Sequence, residues 1–310
     1  MQLLHRFLPH TFLLLLISSC NTFKIADRVV TNKFEKANLV SKIRDVNNYR
    51  IHYWDSEGDK PVIVLVSGFG AAARFQWYHQ VKMLEEHYRV IVPNLLYFGK
   101  SHPINGDHYA LENQVDMMLS LLKDLSIGKF TLCGVSYGGV VSAELARRIP
   151  DQINKLVLFD TPVKFFNQQH VDEINANYNV SNFIELFVPE HHRGLKKLLS
   201  VAYYKPPKIP VFLFKEFYNQ IYKPNLAHIK QLLIYSMNNV GLLSEANYKF
   251  SFPTLLIWGS DDDIIPVSVA QLLQNHMNDC RLEVIPKTKH MPNIENPKQF
   301  NKLLINFLTE

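Results

Sequence analysis

Gly134-Val135-Ser136-Tyr137-Gly138-Gly139 separates an apolar run, Lys129 to Cys133, from Val140-Val141-Ser142-Ala143-Glu144-Leu145-Ala146, which has the character of a helix. Strand, sharp turn and helix therefore meet at one serine, the layout of a nucleophile elbow. Such a turn strains the serine backbone, and it closes only if the residues two before and two after have no side chain to collide as helix folds back on strand. Gly134 and Gly138 meet that requirement. The strain lifts Oγ clear of the sheet edge, above a helix start whose free N–H groups favour negative charge.

A serine is a poor nucleophile at neutral pH unless a histidine accepts its proton and an acid holds that histidine in the correct tautomer. For this elbow the chain order is serine, acid, histidine. Phe252-Pro253-Thr254-Leu255-Leu256-Ile257-Trp258-Gly259 reads as a buried strand, and the loop Ser260-Asp261-Asp262-Asp263-Ile264-Ile265-Pro266 follows it. A helical stretch (Val269 to Met277) and a short strand (Arg281 to Ile285) then lead to Pro286-Lys287-Thr288-Lys289-His290-Met291-Pro292. Of the 13 histidines, His290 alone stands in a loop after the last strand, which makes it the candidate general base. His52, His79, His87, His191 and His192 are expected at or near the surface.

With these pieces in place the chain, from about Asn48 to its C-terminus, resembles the α/β-hydrolase family. The matching stretches are Ser67-Gly68-Phe69-Gly70, Pro93-Asn94-Leu95-Leu96-Tyr97-Phe98-Gly99-Lys100-Ser101, the elbow, the Trp-Gly-x-x-Asp-x-x-x-Pro run ending at Pro266, and His290-Met291-Pro292-Asn293-Ile294-Glu295-Asn296-Pro297. The resemblance implies that Asp262 is the acid, being third after the glycine and four before the proline. Asp261 and Asp263 are then solvated loop charges. Asp160, at the tip of Leu156-Val157-Leu158-Phe159, is a rival because some members place the acid there; otherwise it is a cap or turn residue before Pro162. The resemblance also implies an oxyanion hole formed by the backbone N–H groups of Phe69 and Tyr137. Members usually carry histidine where Ser67 stands and aspartate where Asn94 stands, so the rigidity of those two loops is in question.

Strands and helices alternate from Tyr49 to the elbow: Tyr49 to Trp54, Val62 to Val66, a helix near Phe75 to Glu86, Arg89 to Pro93, and a helix near Leu111 to Leu125. This alternation predicts a mostly parallel sheet with helices on both faces and its carboxyl ends on one edge. The expected α/β-hydrolase core comprises 43–161 and 229–310. Between them, after the sixth core strand, 162–228 is expected to be a helical cap. It is rich in Phe165, Phe166, Phe183, Phe187, Tyr203, Tyr204, Phe212, Phe214 and Phe217, and Pro206, Pro207 and Pro210 interrupt it. Each aromatic taken alone is best read as packing the cap onto the core; together they argue for an apolar, roomy surface over Ser136.

Residues 1–20 form a separate unit. His5-Arg6 precede Phe7-Leu8 and then Phe12-Leu13-Leu14-Leu15-Leu16-Ile17, an apolar region of signal-peptide length. Ile17-Ser18-Ser19-Cys20 resembles the lipobox of bacterial lipoproteins, which implies lipidation of Cys20 and attachment to a membrane in the cell envelope. Asn21 then suits the outer membrane; plain secretion, a periplasmic location and an uncleaved anchor are the alternatives. The polar stretch 21–42, which lacks a clear period, is expected to tether the catalytic domain to its anchor, with a fraying helix as one form it could take.

The chain has 310 residues, 47% of them hydrophobic and 20% charged, enough for one large core or a core plus a lid. A net charge of +5 is modest, and the basic residues form no stripe with stacking aromatics, which argues against nucleic acid as a partner. Cys20, Cys133 and Cys280 show no C-x-x-C spacing, so no metal, redox motif or cofactor is expected. Cys133 reads as a small buried hydrophobe, and whether it pairs with Cys280 is open. Serine rather than aspartate at the elbow suits acyl transfer over attack on an sp³ carbon. Ester hydrolysis of an apolar acyl group or lipid through an acyl-enzyme is therefore the expected function. The alternatives are a carbon–carbon bond hydrolase, whose members commonly place tryptophan soon after the histidine, and a non-catalytic binding module. An aminopeptidase-like activity would need cap acids such as Glu185, Glu190 or Glu216.

Overall fold

The computed structural model describes residues 20–70, 72–239 and 246–310. Among these residues nine strands form one sheet: β1 (Val40–Val46), β2 (Tyr49–Asp55), β3 (Val62–Val66), β4 (Arg89–Pro93), β5 (His102–Pro103), β6 (Phe130–Val135), β7 (Ile153–Phe159), β8 (Thr254–Gly259) and β9 (Cys280–Ile285). Their order is β1-β2-β4-β3-β6-β7-β8-β9, with the two-residue β5 pairing β2. The pairs from β4 through β9 are parallel, whereas β1–β2 and β2–β4 are antiparallel. This is an α/β-hydrolase fold, a mostly parallel sheet flanked by helices.

Strands such as Val62-Ile63-Val64-Leu65-Val66 must be buried on both faces, because parallel connections place helices on each side. Val64, Val66 and Leu132 accordingly pack into one core with Val115, Met118 and Leu121 of the helix Leu111–Asp124. Ile63, Leu65 and Cys133 turn the other way, towards Trp77, Leu84 and Phe300. Cys133 is free and buried, and Cys280 is free and half-buried.

Four expectations are corrected. Within 21–42 the helix is packed rather than fraying: it spans Cys20–Glu35, and β1 begins at Val40. Phe23 and Phe34 are buried, and with Ala26 and Val30 they recur every three or four residues, a helical period concealed by the charges between them. β1 itself looks polar because it is a largely exposed edge strand. It is held by its register with β2 and by a tight turn in which Asn47 adopts φ 53°. The single helix expected near 75–86 is two short ones, Arg74–Trp77 and Val81–Glu85. Gln80 lies between them, its buried side chain donating to the Asn293 carbonyl (3.0 Å) and to Asn301 Oδ1 (2.8 Å). Helices Gln168–Asn177, Phe183–Phe187, His192–Ala202, Val211–Phe217 and Leu226–Asn238 follow β7, which is sixth in order once β5 is set aside. The last of them runs through the boundary expected at 228, because Ile229, Leu232 and Leu233 continue its buried stripe.

His52, expected near the surface, is buried in β2. Its Nε2 pairs with Ser41 Oγ at 2.8 Å and its Nδ1 with the Asn94 amide. Burial, reinforced by the charges of Lys100 and Arg74, lowers its pKa to about 4 from the ordinary 6.5. The unfolded chain therefore binds a proton at His52 before the native state does. Its stabilising contribution is complete above about pH 6.5 and is lost as pH falls towards about 4. Subtracting the denaturation-derived stability profile of His52→Gln from that of the native sequence should give a difference growing by on the order of 3 kcal/mol across that window. Parallel profiles would show that His52 is not the group responsible.

Candidate active site

β6 ends at Val135, and the helix Ser136–Arg148 begins with no intervening loop. Ser136 absorbs the reversal at φ 51°, the left-handed region, at a cost of about 1–2 kcal/mol. A Cβ on Gly138 would lie 2.2 Å from the Ser67 carbonyl oxygen, and one on Gly134 would lie 2.7 Å from the Gly138 carbonyl. The elbow is thus pressed against the end of β3.

Two other loops reach this point from β8 and β9. Ser136 Oγ lies 2.9 Å from His290 Nε2, and His290 Nδ1 lies 2.8 Å from Asp262 Oδ2. A carboxylate only accepts hydrogen bonds, so the imidazole proton belongs on Nδ1 and Nε2 is left to accept from the serine hydroxyl. Asp262 and His290 are buried. Asp262 is held in place because its Oδ1 accepts the N–H groups of Ile264 (2.8 Å) and Ile265 (3.2 Å). Its neighbours face elsewhere: Asp261 accepts from Ser260, and Asp263 is bound by Tyr178 and Lys289. Asp160 is fully buried behind Asp262 and accepts the Gly259 N–H at 3.0 Å. Asp160, Asp262 and His290 offer atoms within 4.8 Å of one another. A cation there would have to displace the His290 Nδ1 proton from Asp262, so the geometry fits a hydrogen-bonded chain better than a ligand set.

The loop carrying His290 is fixed by side chains that the sequence does not flag. Asn293 is buried, accepts from Gln76 Nε2 at 3.0 Å and donates to the Gln76 carbonyl at 2.8 Å. Asn94, where members of the family usually carry aspartate, is also satisfied: its Oδ1 accepts the Ala73 N–H at 2.7 Å and its amide reaches His52. A histidine from β2 thus supports that loop. Ser67, by contrast, leaves its buried hydroxyl without a partner among the described residues.

Two cavities converge on the serine. One, of about 850 Å³, is lined by Tyr137, Val140, Phe183, Leu233 and Tyr248, with Glu144 and Arg147 also on its wall. The other, of about 560 Å³, is lined almost wholly by apolar groups, among them Phe23, Leu199, Leu213, Phe214 and Phe217, and Tyr222 also borders it. Phe69, Ser136, Phe187 and Ile264 border both. Phe69 and Tyr137 pack edge to face at 6.0 Å beside the serine. Glu185, Glu190 and Glu216 are not among the lining residues described; Glu190 pairs with Lys230 at 3.0 Å, and Glu216 accepts the Phe23 N–H at 3.0 Å.

Residues 61–297 match the profile of the alpha/beta hydrolase fold. The 2-hydroxy-6-oxo-6-phenylhexa-2,4-dienoate hydrolase of Burkholderia cepacia is 26% identical over 90% of this chain and 96% of its own length. Human monoacylglycerol lipase ABHD6 is 24% identical over 81% of this chain and 76% of its own. Among solved structures, a bacterial membrane phospholipase A superposes with a TM-score of 0.79 at 22% identity, covering 96% of this chain and 93% of that one.

Because Gly138 abuts backbone rather than a flexible side chain, Gly138→Ala must displace the elbow or the end of β3. Thermal denaturation should show it destabilised by about 1–3 kcal/mol, with Ser136 reactivity towards an active-site phosphonate reduced at temperatures where it remains folded.

Proposed function

This chain belongs to the alpha/beta hydrolase family, and from that premise we propose that it is a serine hydrolase cleaving carboxylic esters of apolar acyl groups through an acyl-enzyme. The observation that carries the reading is the chain of two hydrogen bonds, Ser136 to His290 to Asp262, at the junction of two largely apolar cavities.

In this mechanism Ser136 Oγ attacks the ester carbonyl while His290 Nε2 takes its proton. Asp262 keeps the imidazole in the required tautomer and stabilises the imidazolium that forms. The N–H groups of Tyr137 and Phe69 receive the oxyanion; the first stands in the opening turn of a helix, where N–H groups have no carbonyl four residues back to bond. His290 then protonates the leaving alcohol, and the acyl-enzyme forms. Water attacks next, with His290 again as base, and the acid is released. The nearly all-apolar second cavity suits the acyl chain, and the first, with Glu144 and Arg147 on its wall, suits the alcohol side.

The N-terminal reading belongs to the same proposal, with Cys20 as a lipidated residue holding the enzyme on a bacterial envelope membrane. Residues 1–19, with the signal region, lie outside the described residues, and among those described no helix is long and apolar enough to cross a membrane. What supports the reading is position: Cys20 opens the helix whose Phe23, Ala26 and Val30 line the second cavity. A lipid there would hold that cavity close to the bilayer, each buried methylene contributing about 0.8 kcal/mol.

A fluorophosphonate probe should label the native protein and fail to label Ser136→Ala; absence of labelling, or labelling that survives the substitution, overturns the serine assignment. Asp262→Asn should lower kcat by about 10⁴-fold with KM little changed, since it favours the wrong histidine tautomer. Across p-nitrophenyl esters of increasing length, run beside a ring-cleavage product, medium or long acyl chains should be preferred. A preference for the ring-cleavage product assigns carbon–carbon bond hydrolysis instead. Detergent phase partitioning should move the protein into the detergent phase, and Cys20→Ala into the aqueous phase; identical partitioning would remove the lipid anchor.

A further inference from the structure

A buried acid beside the catalytic residues is left unused by this mechanism. Asp160 directly follows β7 on the edge where Ser136, Asp262 and His290 meet, is wholly inaccessible, and takes a left-handed backbone at φ 45°. Its Oδ1 accepts the Gly259 N–H, but its Oδ2 is buried with no hydrogen-bond partner among the described residues. An ionised oxygen left so would carry a large desolvation penalty. The titratable groups facing it are Asp262, His290 and, further off, Glu295. Lys289, the residue before His290, is turned outward onto Asp263 and Tyr178. Among the described residues no lysine or arginine pairs with either Asp160 or Asp262.

Two carboxylates this close, out of water and facing at most one imidazolium, cannot both hold a full charge cheaply; a single proton turns the repulsion into a hydrogen bond. Asp262 must be the ionised partner, because its oxygens already accept from His290 Nδ1 and from two backbone N–H groups. We propose that Asp160 is a positioning residue that retains a proton on Oδ2 and donates it to the Asp262 carboxylate, locking that carboxylate against His290. The inference rests on the assignment of Asp262 and His290 as acid and base. Burial first, and then the Asp262 charge, push the Asp160 carboxyl well above the usual carboxylate range, against a smaller opposing effect of the Gly259 hydrogen bond.

The asparagine isostere separates this role from a charged one. In Asp160→Asn the amide oxygen can still accept from Gly259 and the amide N–H can still donate to Asp262. In Asp160→Ala the donor is lost. On the full chain, ester hydrolysis as a function of pH should show kcat reduced on the order of tenfold or more in Asp160→Ala with KM little changed, and rescued to within about threefold of the native value in Asp160→Asn. The acid limb of kcat/KM should coincide in the native protein and Asp160→Asn. An infrared carbonyl band from a protonated carboxylic acid at neutral pH should be present in the native protein and missing from Asp160→Asn. An acid limb displaced to lower pH in Asp160→Asn would mean that a negative charge had been removed from beside His290, and would overturn the proposal. Full native kcat in Asp160→Ala would overturn it too. If the alanine variant does not fold, the asparagine profile and the infrared band decide the matter. If the native protein neither hydrolyses esters nor labels at Ser136, it is the serine-hydrolase reading that fails, while the infrared band, which needs no turnover, still reports on the Asp160 proton.

Discussion

The reversal of chain direction at Ser136 constrains the rest of the molecule. A strand in the middle of a parallel sheet is passed over directly by the helix that follows it, and the serine takes a positive φ that a side-chain-bearing residue adopts only under strain. That strain persists because its surroundings leave no alternative. β6 is paired on both sides, by β3 and β7, so it cannot slide to relax the turn. The opening helix turn rests on the end of β3 so closely that Gly138 has no room for a methyl group. Sheet pairing, burial on both faces and close backbone contact together fix one hydroxyl in space.

A fixed hydroxyl is useful only if its partners arrive independently at the same place. Asp262 and His290 come from loops after β8 and β9, and these loops are pressed together at Gly259, where an added Cβ would lie 2.0 Å from the Lys289 carbonyl oxygen. The Asp261 N–H bonds the Thr288 carbonyl at 3.0 Å, a short rung between the two loops beyond the end of the sheet. From the far side, Gln76, Gln80 and Asn293 anchor the residues after His290. A buried amide network of this kind is stable only when its members are satisfied, and that makes it a rigid support rather than a cost.

These dependencies explain what could be read from the chain and what could not. The elbow, the acid loop, the histidine loop and the buried strands are local: each is encoded within a short run of consecutive residues, and the structure brings Ser136, Asp262 and His290 into one hydrogen-bonded chain. The choice of Asp262 over Asp261 and Asp263 came from the resemblance to the α/β-hydrolase pattern, and in the structure Asp262 is the carboxylate that hydrogen-bonds His290. The supporting groups are non-local. Gln76 meets Asn293 across more than two hundred residues, and His52 meets Asn94 across two strands; in the sequence each is an ordinary polar residue. The buried face of the helix Cys20–Glu35 was masked by its own charges, and β1 by being an edge with little to bury.

The cap presents a different case, in which composition informed better than position. Its aromatics divide between two tasks: Phe166 and Phe183 join the main core, while Phe214 packs with Leu195, Tyr218 and Tyr222 in a cluster of the cap's own. Both kinds contribute to the walls above the serine, since Phe166 and Phe183 border one cavity and Phe214 and Tyr222 the other. A side chain that packs on one edge and lines a cavity on the other satisfies both readings of an apolar cap residue at once. The N-terminal helix extends the same economy. Phe23 packs edge to face on Phe217 at 6.0 Å, so the wall of the second cavity is completed by the segment that leads away from Cys20. Any force drawing that segment towards a membrane would therefore act directly on the cavity wall.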